Sequence, residues 1–174
     1  MTTREIEKCS SQLLIGNNLM ERPVDSEKLA NMLGISIEYQ DLDDEVSGFL
    51  VRKDNKNIIG VNENHHKVRR RFTISHEIGH YILHVDEPLF VDYYKGSKLF
   101  RSNNRPNNYR VEKEANQFAA SLLMPKSLIQ LELDKLSDNM EYDDKIYELS
   151  RLFQVSQQAM DYRLKSLGYY DYGF

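Results

Sequence analysis

Residues His76-Glu77-Ile78-Gly79-His80 restrict this chain more than any other stretch. They lie inside a helical pattern from Lys67 to about Val85, whose apolar stripe is Ile74, Ile78, Tyr81, Ile82 and Val85. On a helix, positions i and i+4 differ by about 40° and one turn, so both imidazoles leave the same face. The chain holds five histidines, His65, His66, His76, His80 and His84, all within twenty residues and none elsewhere. A scarce residue type clustered in this way points to metal binding.

Two ring nitrogens at that spacing can meet one zinc ion at about 2.0–2.1 Å each. Glu77 adjoins the first ligand but points elsewhere. From there it can take a proton from a zinc-bound water and pass it to a leaving amine. The bland alternative is a surface helix carrying two ordinary histidines. Gly79 argues against it, because glycine costs about 1 kcal/mol relative to alanine in a helix interior, which suggests close approach by another element. The preceding strand candidate IIGVN could hold a peptide by edge pairing.

A catalytic zinc needs a third protein ligand. His84 follows His76 by eight residues, about 12 Å along the axis and about 6 Å beyond His80, and no glycine turns the chain back. It therefore reads as a packing or helix-end residue favoured by the dipole. His65 and His66 read as solvent-facing loop residues. The segment Glu112-Lys113-Glu114-Ala115-Asn116 offers two carboxylates. Glu112 and Asn116 share a helix face, so Glu112 could bind zinc while Asn116 orients a neighbouring imidazole. Glu114 is rotated by about 200° from Glu112 and points away if Glu112 points in.

The rest of the chain supplies an α+β frame. Residues 3–20 have helical spacing, with Ile6, Leu13, Leu14 and Met20 toward a core, and Pro23 breaks the element. Asp25 caps a short helix ended by Gly34. Residues 35–40, 46–54 and 56–64 read as strands of a small antiparallel sheet, with Asp54-Asn55 as a hairpin turn. Residues 86–108 read as irregular and rich in aromatics, with Phe90, Tyr93, Tyr94 and Phe100 as cleft or core candidates. A long helix follows over 109–124 with Ala115, Phe118, Ala119 and Leu122 buried, and Pro125 ends it. With 174 residues, the division is one domain over 1–125 and a helical region over 126–174.

Composition excludes several classes. The 23 Lys+Arg and 27 Asp+Glu give a net charge of −4, so nucleic-acid binding would need a local basic patch. The single cysteine, Cys9, allows neither a disulfide framework nor a multi-cysteine zinc site. No apolar run is long enough for a bilayer, and the N-terminus lacks a signal-peptide pattern. The expectation is a cytoplasmic protein without membrane contact. The basic run Lys67, Arg69, Arg70 and Arg71 reads as a solvated face or as partners of the acids at 41–45, the other reading being a landing site for an acidic substrate segment.

Two long motifs carry a family resemblance. Arg69-Arg70-Arg71-Phe72-Thr73-Ile74-Ser75-His76-Glu77-Ile78-Gly79-His80, followed by Glu112-Lys113-Glu114-Ala115-Asn116-Gln117-Phe118-Ala119-Ala120-Ser121-Leu122-Leu123-Met124-Pro125, resembles the ImmA/IrrE family of zinc metallopeptidases. The stretch SGFLVRKDNKNIIGVN (47–62) is similar to the segment before that family's active-site helix. The resemblance implies a compact zincin-like fold and a site-specific endopeptidase. It implies zinc ligands at His76, His80 and Glu112, with Glu77 as base. It also implies a protein substrate, a helix-turn-helix transcriptional repressor encoded nearby, whose cleavage relieves repression.

Residues 148–168 themselves resemble a helix-turn-helix, with Leu149, Leu152 and Phe153 packing on Ala159, Leu164 and Leu167. Across 143–168, four cations (Lys145, Arg151, Arg163, Lys165) meet four acids (Asp143, Asp144, Glu148, Asp161). A neutral module gains little from counterion release, so packing or repressor docking is favoured over DNA binding. The competing function is a metal-holding regulator that binds a repressor or DNA without cutting.

Overall fold

Local sequence sets the first elements. The computed structural model describes residues 1–53, 56–85, 89–93, 107–137 and 139–169. Helix α1 (Thr3–Gly16) opens on a capping box, in which Thr2 accepts from the Glu5 N–H and Glu5 accepts from the Thr2 N–H. Ile6 and Leu14 are buried and Leu13 and Met20 partly so, but the helix stops at Gly16, short of 20. Helix α2 (Ser26–Met32) starts where the Asp25 side chain accepts from the Lys28 N–H at 2.9 Å. It ends before Gly34, whose φ of +74° suits a residue without a Cβ.

Strands β1 (Ile35–Gln40), β2 (Val46–Lys53) and β3 (Lys56–Asn62) fall where expected, and β4 (Leu89–Tyr93) lies in the stretch read as irregular. The sheet order is β1-β3-β2-β4. The α+β expectation holds, but the sheet is mixed. β2 pairs antiparallel with β3 and β4, whereas β1 runs parallel to β3. The proposed Asp54-Asn55 turn lies outside the described residues, as do Tyr94 and Phe100.

Asn62 supports the crossover that the parallel pair requires. Segment 41–45 makes no hairpin back onto β1; it passes the end of β3 and starts β2 on the other side of that strand, leaving β1 at the edge. The buried Asn62 amide donates to the carbonyls of Leu42 (3.2 Å), Asp43 (3.1 Å) and Val46 (2.9 Å), and its oxygen accepts from the Asn64 N–H (3.0 Å). One side chain thus satisfies backbone groups of a crossover that no strand ladder could reach.

Helix α3 (Lys67–Leu83) lies on the sheet and is covered on its other side by α4 (Asn107–Leu123). Every residue from Thr73 to His80 is buried. The expected one-sided stripe is therefore an underestimate for this stretch, while Val85 is 67% exposed and leaves the stripe. Gly79 permits the contact: a Cβ there would stand 3.2 Å from the Ala115 carbonyl oxygen and from Phe118. Arg52 of β2 donates to the carbonyls of His80 (2.9 Å), Tyr81 (2.9 Å) and His84 (2.7 Å). A guanidinium so placed satisfies the last carbonyls of α3 and complements its dipole.

A first buried cluster joins α1, α2, the sheet, α3 and α4 through residues such as Leu14, Leu29, Leu50, Ile74, Ile78 and Phe118. A second joins the end of α4 to α5 (Lys126–Leu133), α6 (Tyr142–Phe153) and α7 (Gln157–Ser166), with Phe72 of α3 packed against it. Leu149, Leu152, Phe153, Ala159, Leu164 and Leu167 all belong to it. Gln154 turns the chain between α6 and α7 at φ 53°, and Ser156 caps α7. Arg163 of α7 ion-pairs with Glu7 of α1 and donates to the Met124 carbonyl at 3.0 Å, tying three helices. Among the described residues no helix is long and apolar enough to cross a membrane.

Replacing Asn62 with alanine strands the crossover carbonyls and the Asn64 amide. Chemical denaturation should show a loss of about 1–3 kcal/mol; a change within experimental error would mean that the 41–45 crossing is held by other contacts.

Candidate metal centre

The contact between α3 and α4 creates the site. His76 and His80 stand one turn apart on α3 with their Nε2 atoms 3.0 Å from each other. Glu112, from the second turn of α4, brings Oε2 to 3.3 Å from His76 Nε2 and Oε1 to 3.5 Å from His80 Nε2. Glu112 and Asn116 share a face, and Asn116 Oδ1 lies 3.0 Å from His76 Nδ1. Glu114 does not approach this pair. Its carboxylate accepts from Arg110 Nε at 2.9 Å and lies 3.3 Å from His84 Nε2.

The hydrogen bonds dictate the imidazole tautomers. The Asn116 oxygen only accepts, so His76 Nδ1 carries the proton and its Nε2 offers a lone pair. Glu114 likewise only accepts, so His84 Nε2 donates, leaving His84 Nδ1 as an acceptor. His80 Nδ1, 3.1 Å from it, must then donate, and His80 Nε2 also offers a lone pair. Burial drives the His80 pKa down to about 4, aided by His76 and His84 and opposed by Glu112. His80 is thus neutral at physiological pH. Burial also lowers the pKa of His84. Burial alone would raise the Glu112 pKa, but once acid protonates His76 and His80 on Nε2 their bonds to the carboxylate outweigh burial and hold it near 2.

Two lone pairs and a carboxylate converging at 3.0–3.5 Å repel one another unless a cation lies between them. Donors bound to one zinc at about 2.0–2.1 Å in tetrahedral array stand ~3.3 Å apart. The observed spacings bracket that figure, and the three ligand atoms lie within 4.8 Å of one another. His76, His80 and Glu112 could therefore hold a metal ion. The two histidine side chains are 2% and 1% exposed while Glu112 is 38% exposed, so the cluster opens to solvent at the carboxylate. Among the described residues this cluster has three donors, the number that leaves a position free for a reactant.

Glu77 is fully buried on the same helix. The outer chain from His80 through His84 to Glu114 was not foreseen, although His84 follows His80 by four residues, the same spacing as the ligand pair. Phe90 of β4 stacks on His80 with ring centres 4.0 Å apart and planes at 19°. That contact came from the irregular stretch and had no periodicity to announce it. His66 is exposed and caps α3, its Nδ1 accepting from the Val68 N–H at 3.3 Å. The basic run disperses: Arg69 donates to Ser47 Oγ (2.5 Å), Arg70 lies over Tyr39 (5.2 Å), and Arg71 donates to the Phe153 carbonyl (3.4 Å).

Comparison with known proteins agrees with this arrangement. Residues 30–165 match the peptidase M78 family, described as the IrrE N-terminal-like domain. The radiation response metalloprotease IrrE of Deinococcus radiodurans is 32% identical over 111 residues, covering 62% of this chain and 30% of that protein. The uncharacterized immunity region protein 2 of Bacillus phage phi105 is 31% identical over 120 residues, 68% of each chain. A solved Mycobacterium tuberculosis transcriptional regulator shares the fold with a TM-score of 0.65 at 18% identity, over 92% of this chain and 46% of that one. This chain thus spans under a third of the length of the Deinococcus relative. With both motifs inside the matched span, the chain belongs to the IrrE N-terminal-like domain family, the ImmA/IrrE metallopeptidases.

Proposed function

We propose that the protein is a zinc-dependent endopeptidase acting in the cytoplasm, with His76, His80 and Glu112 as metal ligands and Glu77 as general base. The observation that carries this reading is the convergence of two lone-pair nitrogens and a carboxylate at zinc-compatible spacing on a site open at one side. A bound zinc would supply a Lewis acid that polarises a peptide carbonyl and makes water acidic near neutral pH. Glu77, adjacent to His76 and shielded from bulk solvent, accepts the proton of the attacking water and returns it to the leaving amine. Asn116 and the His84–Glu114 pair hold the two rings in the tautomers that expose Nε2.

The substrate we propose is a helix-turn-helix repressor encoded near this gene, cut so that repression ends. Support comes from the family and from the likeness to a phage immunity region protein. The acid and base residues of the C-terminal helices also pair among themselves, Arg151 with Glu148 and Lys165 with Asp161, which leaves that module little to offer a DNA backbone.

Glu77→Gln should keep stoichiometric zinc and lose cleavage of the neighbouring repressor by at least about a hundredfold, since a positioned base contributes 10²–10⁴-fold. Normal turnover by that variant would refute the mechanism. Metal analysis after dialysis should find zinc absent from Glu112→Ala and retained by Glu114→Ala. His84→Ala should bind zinc about 10–100-fold more weakly, measured by competition with a chelator. If Glu114→Ala rather than Glu112→Ala empties the site, the ligand assignment is wrong.

Acidification tests the electrostatics of the metal-free protein. His80 titrates near 4 when folded against an ordinary 6.5, so between those values the unfolded chain binds more protons. Stability should fall as pH drops through that window, by on the order of 3 kcal/mol. Glu112, at about 2 against 4.5, extends the loss below pH 4.5. Thermal melts of metal-free protein and of His80→Gln should differ in slope between pH 6.5 and 4.

A further inference from the structure

A groove of about 810 Å³ runs beside the metal centre, between the first turns of α3, the outer face of α4 and α7. Its floor is carbon, from Phe72, Ala120, Met124, Val155 and Ala159. One wall includes Asn116, whose side chain bonds His76. The Phe72 ring lies 6.4 Å from that of His76, so the groove begins against a proposed ligand. Arg69 and Lys113 also line it, and among the described residues no aspartate or glutamate does. That is notable in a chain with 27 acids and 23 Lys+Arg. A third cation, Arg163, is turned onto Glu7 and the Met124 carbonyl. Lys113 is exposed, and among the described residues it makes no ion pair; its sequence neighbours Glu112 and Glu114 face histidines instead.

We infer that this groove is the subsite for the substrate segment flanking the cleaved bond, and that it selects an extended polypeptide with apolar side chains for the floor and an acidic one for Lys113. The inference rests on the endopeptidase reading and adds its specificity. The volume lies in the range of specific ligand sites. The positive charge of Lys113 complements an acidic segment and steers its approach. Nucleic acid would meet the same cations but would gain nothing from a carbon floor. The second helix of the helix-turn-helix-like pair, α7, presents Ala159 and the 64%-exposed Tyr162 to this groove. The helix that would read DNA bases in a DNA-binding module here forms a wall of the peptide groove.

The test uses full-length protein carrying Glu77→Gln and fluorescence anisotropy at low salt. The probes are a labelled nonapeptide alternating leucine and glutamate and its counterpart with lysine for every glutamate. The acidic peptide should bind about tenfold more tightly. Lys113→Glu should abolish that preference, Lys113→Arg should keep it, and Tyr162→Ala should weaken both peptides. Circular dichroism and zinc content of each variant identify any that fail to fold. Equal binding of the two peptides, no binding of either, or a preference unchanged in Lys113→Glu would overturn the inference. So would tighter binding of a 20-base-pair DNA duplex than of the acidic peptide, or a dimer in sedimentation whose formation excludes the peptide. Cleavage is measured separately on the wild type. Peptide selectivity without any cleavage would fail the endopeptidase reading alone, and cleavage without selectivity would fail the groove alone.

Discussion

The approach of α4 to α3 at Gly79 is the contact on which the site depends. Two imidazoles on one helix form at most half of a tetrahedral set, and the remaining donor must come from another element. With hydrogen alone at position 79, the Ala115 carbonyl and Phe118 close to 3.2 Å from where a Cβ would stand. The start of α4 then carries Glu112 to the paired nitrogens and Asn116 to the outer nitrogen of His76. The apolar side chains behind this contact, Ile74, Ile78, Phe118 and Leu122, belong to one buried cluster. Hydrophobic packing therefore sets the distance at which the polar groups meet.

Much of this was legible in the residues. Helical spacing placed His76 and His80 on one face, and the position of Asn116 four residues after Glu112 put those two on another. The cost of Gly79 implied a close neighbour, which proved to be α4. The strands β1, β2 and β3 were readable because they alternate or carry β-branched runs. What escaped was whatever depended on tertiary crossing. Parallel pairing of β1 with β3 needs a crossover that Asn62 supports, a residue whose type gives no hint that its amide will gather three carbonyls. β4 is short and follows no clean alternation. Val85 had the right spacing for the buried stripe, but α3 ends at Leu83, so the helical period no longer governs it.

The outer arrangement of the site shows how two neighbouring carboxylates can serve one centre differently. Glu112 meets the inner nitrogens, while Glu114, turned to another side of α4, fixes the proton of His84 and through it that of His80. Rotation along one helix is enough to separate these tasks. The same logic divides the cations of α7: Arg163 is consumed by joining three helices, and Lys165 by Asp161. Near the site, Lys113 of α4 is the cation that makes no ion pair among the described residues.

Arg52 carries a less obvious implication. His80 lies in the last turn of α3, where an ordinary helix frays, yet the carbonyls of that turn are gripped by a guanidinium from the sheet. A strand that donates nothing to the cluster thus governs how still one of its rings can be. Grafting the five-residue motif into an unrelated scaffold would transfer the imidazoles and leave this clamp behind, and the transplant would coordinate loosely for want of a single distant arginine.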